Sequence, residues 1–233
     1  MFNKTGLKFA VCNFIFANVL LALTSCSSNS EQPPATTPVK KESKYASILS
    51  KCTIVPSDTL HIYSIGNITE SKKFEYLGAK LDTAETALLM PLISKAENSI
   101  DGNIYACYKL AINQHYTGII ARTPAMYDDS SIKFFILDNT ADSITGFVEL
   151  AEIWGDAGDA LAKETWLYKN EEQKLTAFLW QKISHDASVE DPANTKVEVI
   201  NDYFLLDLSK SKPDTVSSKA EYLLKTFQRL NRK

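Results

Sequence analysis

Glycine is scarce in this chain, eight residues in 233, and the few present build none of the loops that chemistry borrows from glycine. There is no Gly-x-x-x-x-Gly-Lys segment to cradle a phosphate, no Gly-x-Gly-x-x-Gly fingerprint and no Gly-x-Ser-x-Gly elbow. Nucleotide binding and hydrolase chemistry therefore lose their usual sequence support. Histidine is scarcer still: His61, His115 and His185 stand far apart, with no His-x-His or His-Glu-x-x-His among them. Zinc is left without its local ligand spacing, and no cofactor or metal is expected. Positive charge is also short, 25 Lys and Arg against 28 Asp and Glu. A nucleic-acid partner needs a clustered basic surface to displace counterions from phosphates, so that class is argued against. The longest apolar run, Phe9 to Leu23, is too short to cross a bilayer as a helix. No blade-length repeat is visible, which disfavours a propeller.

What is present begins with a targeting segment. Lys4 and Lys8 precede the apolar run without any acid, and the run ends in Leu23-Thr24-Ser25-Cys26. That ending resembles the lipobox of bacterial lipoproteins, an apolar residue and two small ones before a cysteine. The resemblance covers the first 26 residues only. It implies that residues 1–25 are a signal peptide, that the Cys26 thiol receives a diacylglycerol, and that membrane lipid is a partner through acylated Cys26. Two or more acyl chains give a stable anchor, each buried methylene contributing about 0.8 kcal/mol. Ser27 stands where an Asp would favour inner-membrane retention, so the resemblance points to an outer-membrane anchor in the cell envelope. Removing residues 1–25 takes two lysines and no acid, leaving 23 basic against 28 acidic residues.

Residues 26–44 follow as a tether, rich in Ser, Thr and Pro and poor in large apolar groups. Residues 45–233 suit a single domain. Only Cys52 and Cys107 remain there, and in an oxidising compartment they are a candidate disulfide.

The domain is dominated by period-two apolar patterns between turn residues, which predicts a mainly β fold. Ile104, Ala106, Tyr108, Leu110 and Ile112 read as one face of an extended segment, with Cys107 and Lys109 on the other. Further strands are expected over 60–65, 74–78, 116–122, 132–138, 144–154, 165–168, 175–183 and 197–206. Short polar joints such as Asn113-Gln114-His115 and Asp138 to Asp142 imply antiparallel neighbours. The expected architecture is an up-and-down meander closing into a barrel or half-barrel, with a C-terminal amphipathic helix.

That helix is read from Val216, Ala220, Leu223, Leu224, Phe227 and Leu230 after Pro213. Lys225, Arg229, Arg232 and Lys233 at its end complement the helix dipole. A second helix over Leu81–Ser94 opens with the capping-box spacing Asp82-Thr83-Ala84-Glu85, carries Ala84, Leu88 and Leu92 on one face, and is disturbed at Pro91.

Candidate functional residues are few. Trp154-Gly155-Asp156-Ala157-Gly158-Asp159, with Trp166 beyond it, sets carboxylates and aromatics around a turn. Trp154, Asp156, Asp159 and Trp166 are candidate ligand-binding residues. A calcium loop is a sharper reading of the same stretch, and a glycosidase pair, Glu152 with Asp159, another; plain turn chemistry explains it as well. Arg122 and Tyr127, in the long connection 122–129, are further candidates. The leading functional expectation is a non-enzymatic, lipid-anchored envelope protein that binds a hydrophobic ligand, a glycan or an envelope protein partner. The alternatives are a structural or assembly subunit, and a carboxylate-dependent hydrolase of envelope polymers.

Overall fold

The computed structural model describes residues 42–233 except 56–57, 67–72, 97–101, 126–130 and 229–233. The signal segment, Cys26, most of the tether and Tyr127 lie outside the described residues. Among the described residues no helix is long and apolar enough to cross a membrane.

Eleven strands form one open, mostly antiparallel sheet: β1 (Thr53–Ile54), β2 (Thr59–Ile62), β3 (Ala79–Lys80), β4 (Tyr105–Ala111), β5 (Tyr116–Thr123), β6 (Ser131–Asp138), β7 (Ser143–Asp156), β8 (Asp159–Lys169), β9 (Leu175–Asp186), β10 (Val197–Asp207) and β11 (Asp214–Ser217). The strands from β4 to β11 pair in chain order, as the short polar joints require. The sheet does not close, so the half-barrel is the form adopted. The exception to antiparallel pairing is β1, which lies parallel on β4 through Thr53–Tyr108 and Ile54–Lys109. Residues 74–78, expected as a strand, form turns instead, and Phe74 and Tyr76 plug the core from there.

Strand β7 does two jobs. Its first part pairs with β6 as far as Ala151, and its last five residues, Glu152–Asp156, pair with β8. The space that β7 leaves beside β8 is taken by β2, through Thr59–Tyr168 to Ile62–Thr165. The sheet is thereby folded over on itself. Ile120, Ile132, Phe134 and Ile136 from one wing meet Leu60, Leu167, Ala177, Leu179 and Leu206 from the other in the main core. Gly118 is required here because the Phe134 ring occupies the space a Cβ would need, 2.5 Å away.

Two helices, α1 (Ala46–Lys51) and α2 (Thr83–Ala96), cover the other face of β4–β6 through Ile48, Leu89, Ile93, Ile119, Phe135 and Leu137. The capping box forms as the spacing predicts: Asp82 Oδ1 accepts from the Glu85 N–H at 2.9 Å, and Glu85 Oε2 accepts from the Asp82 N–H at 2.7 Å. Glu85 also accepts hydrogen bonds from Ser47 and Lys51, tying α1 to α2. The buried stripe of α2 is Glu85, Leu89 and Ile93, one position on from the apolar stripe read in sequence, and the helix runs through Pro91 to Ala96. Losing one backbone bond at Pro91 is offset by the apolar burial on either side of it.

A third helix, α3 (Ala220–Phe227), seats Leu223 and Phe227 on the outer face of β8–β10, against Trp166 and Phe178. It is shorter than expected at its start, because Asp214–Ser217 pairs as β11 and leaves Val216 exposed.

Candidate functional site

The tryptophans singled out by the sequence do not converge. Trp154 stands opposite Leu161 across the β7–β8 ladder, and five residues further along β8, which pairs with β9 without a register shift, Trp166 points to the other face. Trp166 is buried, stacked on the His61 ring at 4.6 Å and covered by α3. Trp180 donates its indole N–H to Asn201 Oδ1 at 3.0 Å. Asp156 and Asp159 are the last pair of a tight hairpin, with positive φ at Ala157 (48°) and Gly158 (92°) as a two-residue turn demands. Asp159 bonds the His185 ring at 2.9 Å and raises its pKa. Glu152 lies four residues back along the strand, paired with Lys163, so the glycosidase pair is not assembled. Among the described residues no three of His, Cys, Asp and Glu gather as a metal site.

Arg122 belongs to the interior. It is 5% exposed, donates from Nε to the Tyr76 carbonyl and from Nη2 to the Leu77 carbonyl, and lies 3.7 Å over the Tyr105 ring. It pins the 74–78 turns to β4 and β5, a structural clamp in place of a rim contact. Cys52 and Cys107 are both free, buried thiols, and they belong to different cores: Cys52 packs with the helices and Cys107 with the main core. Each stands one position before its member of the Thr53–Tyr108 pair of β1 and β4, so the two lie side by side, and a bulge turns Cys107 toward the main core. Ala106 pairs with Ala121 and Tyr108 with Ile120, so Cys107 is the extra residue. Past it the strand changes face: Ile104 and Ala106 pack under the helices, whereas Leu110 and Ile112 enter the main core. Burial pushes the Cys52 thiol up to about 11 and the Cys107 thiol up to about 12.

What the sequence reading missed is a cluster of buried charge at the branch of the sheet. Lys133, with no exposed surface, donates to Ser131 Oγ at 2.7 Å and to Glu149 Oε1 at 3.0 Å. Lys163 reaches Glu149 Oε2 at 2.5 Å and Glu152 Oε2 at 3.8 Å. A second bulge assembles the group: Ile132 pairs with Ala151 and Lys133 with Glu149, so Leu150 is the extra residue and two carboxylates three positions apart come into contact.

Burial raises the pKa of Glu149, but Lys133 and Lys163 outweigh it and hold the carboxyl well below the usual range. Glu152 goes the other way, raised first by burial and then by the neighbouring Glu149 charge. The Ser131 hydroxyl is buried and donates to Glu149 at 2.6 Å, which commits it to the cluster.

Two hollows remain. A groove of about 480 Å³ runs past Trp154 over Gly155, Ala160 and Ala162, with Lys182 and Ser184 beside them. The second, about 260 Å³, lies where the sheet fails to close, between Leu110 and Ala111 at the end of β4 and Leu167 to Lys169 at the end of β8. Leu60, Leu110, Leu167 and Leu175 line it and are continuous with the main core, while the exposed Asp58 and Lys169 stand in its wall. Ile54 there is 71% exposed.

No family model, no curated protein and no solved structure matches this chain.

Proposed function

We propose that this chain is a lipid-anchored protein of the bacterial cell envelope, tethered through acylated Cys26, that binds an amphipathic small molecule without transforming it. The observation that carries the ligand reading is the 260 Å³ cleft at the open side of the half-barrel. A closed barrel would seal this boundary with ladder hydrogen bonds. Here aliphatic side chains of the core reach a surface opening, with one acid and one base in its wall. An apolar tail gains about 25 cal/mol for each Å² it removes from water against those leucines, and a polar head is left within reach of Asp58 and Lys169.

The glycan alternative rests on the wider groove at Trp154, which has a single aromatic face, and the partner-protein alternative rests on the exposed sheet edge treated below. An acyl-chain ligand fits the aliphatic cleft better than either.

The test is binding of cis-parinaric acid, which fluoresces in an apolar site. Leu110→Trp fills the cleft and is expected to weaken binding at least tenfold while leaving the unfolding transition in place. Equal binding by the wild type and Leu110→Trp, or no binding by either, would overturn the reading.

A further inference from the structure

The sheet ends on a strand that is only partly covered. Of the eleven residues of β10, all pair with β9 on one side, but among the described residues the other side pairs only at Leu205 to Asp207, with β11. Val197–Phe204 therefore presents an open row of backbone N–H and C=O groups, about 26 Å long at 3.3 Å per residue. At the opposite end of the sheet, β4 has β1 along Tyr108–Lys109 and β3 along Ala106–Tyr105. Natural sheets blunt such an edge with proline, inward lysine, a bulge or brevity. Val197–Phe204 contains no proline and no lysine, pairs with β9 without a shift of register, and leaves Val197, Val199 and Ile200 exposed at 55%, 48% and 58%.

We propose that this edge is an interface between two copies of the chain, each adding its β10 antiparallel to the other's so that one sheet runs through the dimer. A two-fold axis normal to the sheet pairs a strand with itself, and the charges along the edge choose the register. Centring the axis on Ile200 sets Glu198 against Asp202 twice. A centre on Glu198 brings that carboxylate against its own copy. Placed on Val199, it sets Val199 against Val199, Val197 against Asn201, Glu198 against Ile200, and Lys196 against Asp202 on both sides. Opposite charges then face each other twice and like charges never do.

Lys196 is already held by Glu198 at 2.5 Å, which points to a compact acid–base–acid row once Asp202 of the second copy arrives. The seven pairs from 196 to 202 stop short of Leu205, so β11 keeps its place. The partner is thus a second copy, selected by backbone pairing for the edge and by the Lys196–Asp202 complement for the register.

A cysteine scan of the full chain in mild detergent reads this directly. Val197, Glu198, Val199, Ile200 and Asn201 are changed singly to Cys and bridged with the shortest bis-methanethiosulfonate, the two buried native thiols serving as the wild-type control. Covalent dimer is expected to form fastest with Val199→Cys. Adding Asp202→Lys to that variant is expected to slow bridging on the order of tenfold, by turning two attractions into two repulsions, and Lys196→Asp with Asp202→Lys together restores it. No dimer from Val199→Cys, a maximum at another position, or indifference to Asp202→Lys would each overturn the proposal. Far-UV circular dichroism on every variant shows that the fold is intact.

Discussion

Replacing Lys133 by Met removes a cation with no exposed surface while keeping most of its volume. The ammonium makes charge-assisted bonds to Ser131 and Glu149, and Glu149 is left with Lys163 when it goes. Breaking a buried ion pair from one side costs about 3–5 kcal/mol, because the surviving charge stays desolvated. Glu149 is 20% exposed and keeps Lys163 at 2.5 Å, so the cost falls at or just below the bottom of that range, about 2–3 kcal/mol. For a domain of this size that lowers the thermal midpoint by roughly 5–10 °C.

The second arm is the double variant Lys133→Met with Glu149→Leu. It removes the orphaned carboxylate as well, leaves Lys163 with Glu152, and is expected to recover most of the loss, since apolar replacement of a whole buried pair is often close to neutral. Urea unfolding followed by tryptophan emission and far-UV circular dichroism supplies both free energies. A Lys133→Met variant within about 0.5 kcal/mol of the wild type, or a double variant as unstable as the two singles summed, refutes the reasoning.

Other perturbations probe different parts of the molecule. Glu152 titrates above the ordinary carboxylate range, so the folded state holds its proton more tightly than the unfolded chain does; this contribution is full below the unfolded value and is lost as pH rises through the raised one. Glu152→Gln should therefore flatten the fall in urea midpoint with rising pH over that window, whereas Glu149, titrating low, contributes stability that disappears only as pH drops below the ordinary carboxylate value. Phe227→Ala strips α3 of the ring stacked 4.5 Å from Phe178 and should cost about 2–4 kcal/mol, with a red shift of Trp166 emission. Gly118→Ala drives a methyl into the Phe134 ring and is expected to destabilise by about 1–3 kcal/mol in the same urea assay. Cys52 and Cys107, buried and with raised pKa, should resist a maleimide at neutral pH until the chain is unfolded.

Strand positions were legible because alternation is a local signal: 116–122, 132–138 and 175–183 all lie within observed strands. Helix α2 was legible through its cap, since Asp82 and Glu85 bond each other, and α3 through its apolar spacing, although it starts without a side-chain cap; α1, only six residues long, was not read from the sequence. What alternation cannot show is where it breaks. Cys107 and Leu150 are each an extra residue in a ladder, and each turns the following side chains to the other face, so Ile104 parted from Leu110 and Glu149 met Glu152.

The same limit governed the candidate site. Trp154 and Trp166 lie twelve positions apart, which suggests one face, but the hairpin at Ala157–Gly158 returns the chain in a register that sets Trp154 across from Leu161 and leaves Trp166 on the far side. Arg122 reads as a rim residue until the 74–78 turns, whose carbonyls it binds, are in place. The cleft has no local signature at all, because Leu60, Leu110 and Leu167 come together only through an unclosed sheet.

Native mass spectrometry of the intact protein, extracted from membranes in mild detergent, bears most directly on an acylated ligand carrier. The expected spectrum shows residues 26–233 with acyl groups on Cys26 and, in addition, a non-covalent apolar adduct that is absent from Leu110→Trp. Retention of residues 1–25, an unmodified Cys26, or identical unliganded spectra for the two proteins would contradict it.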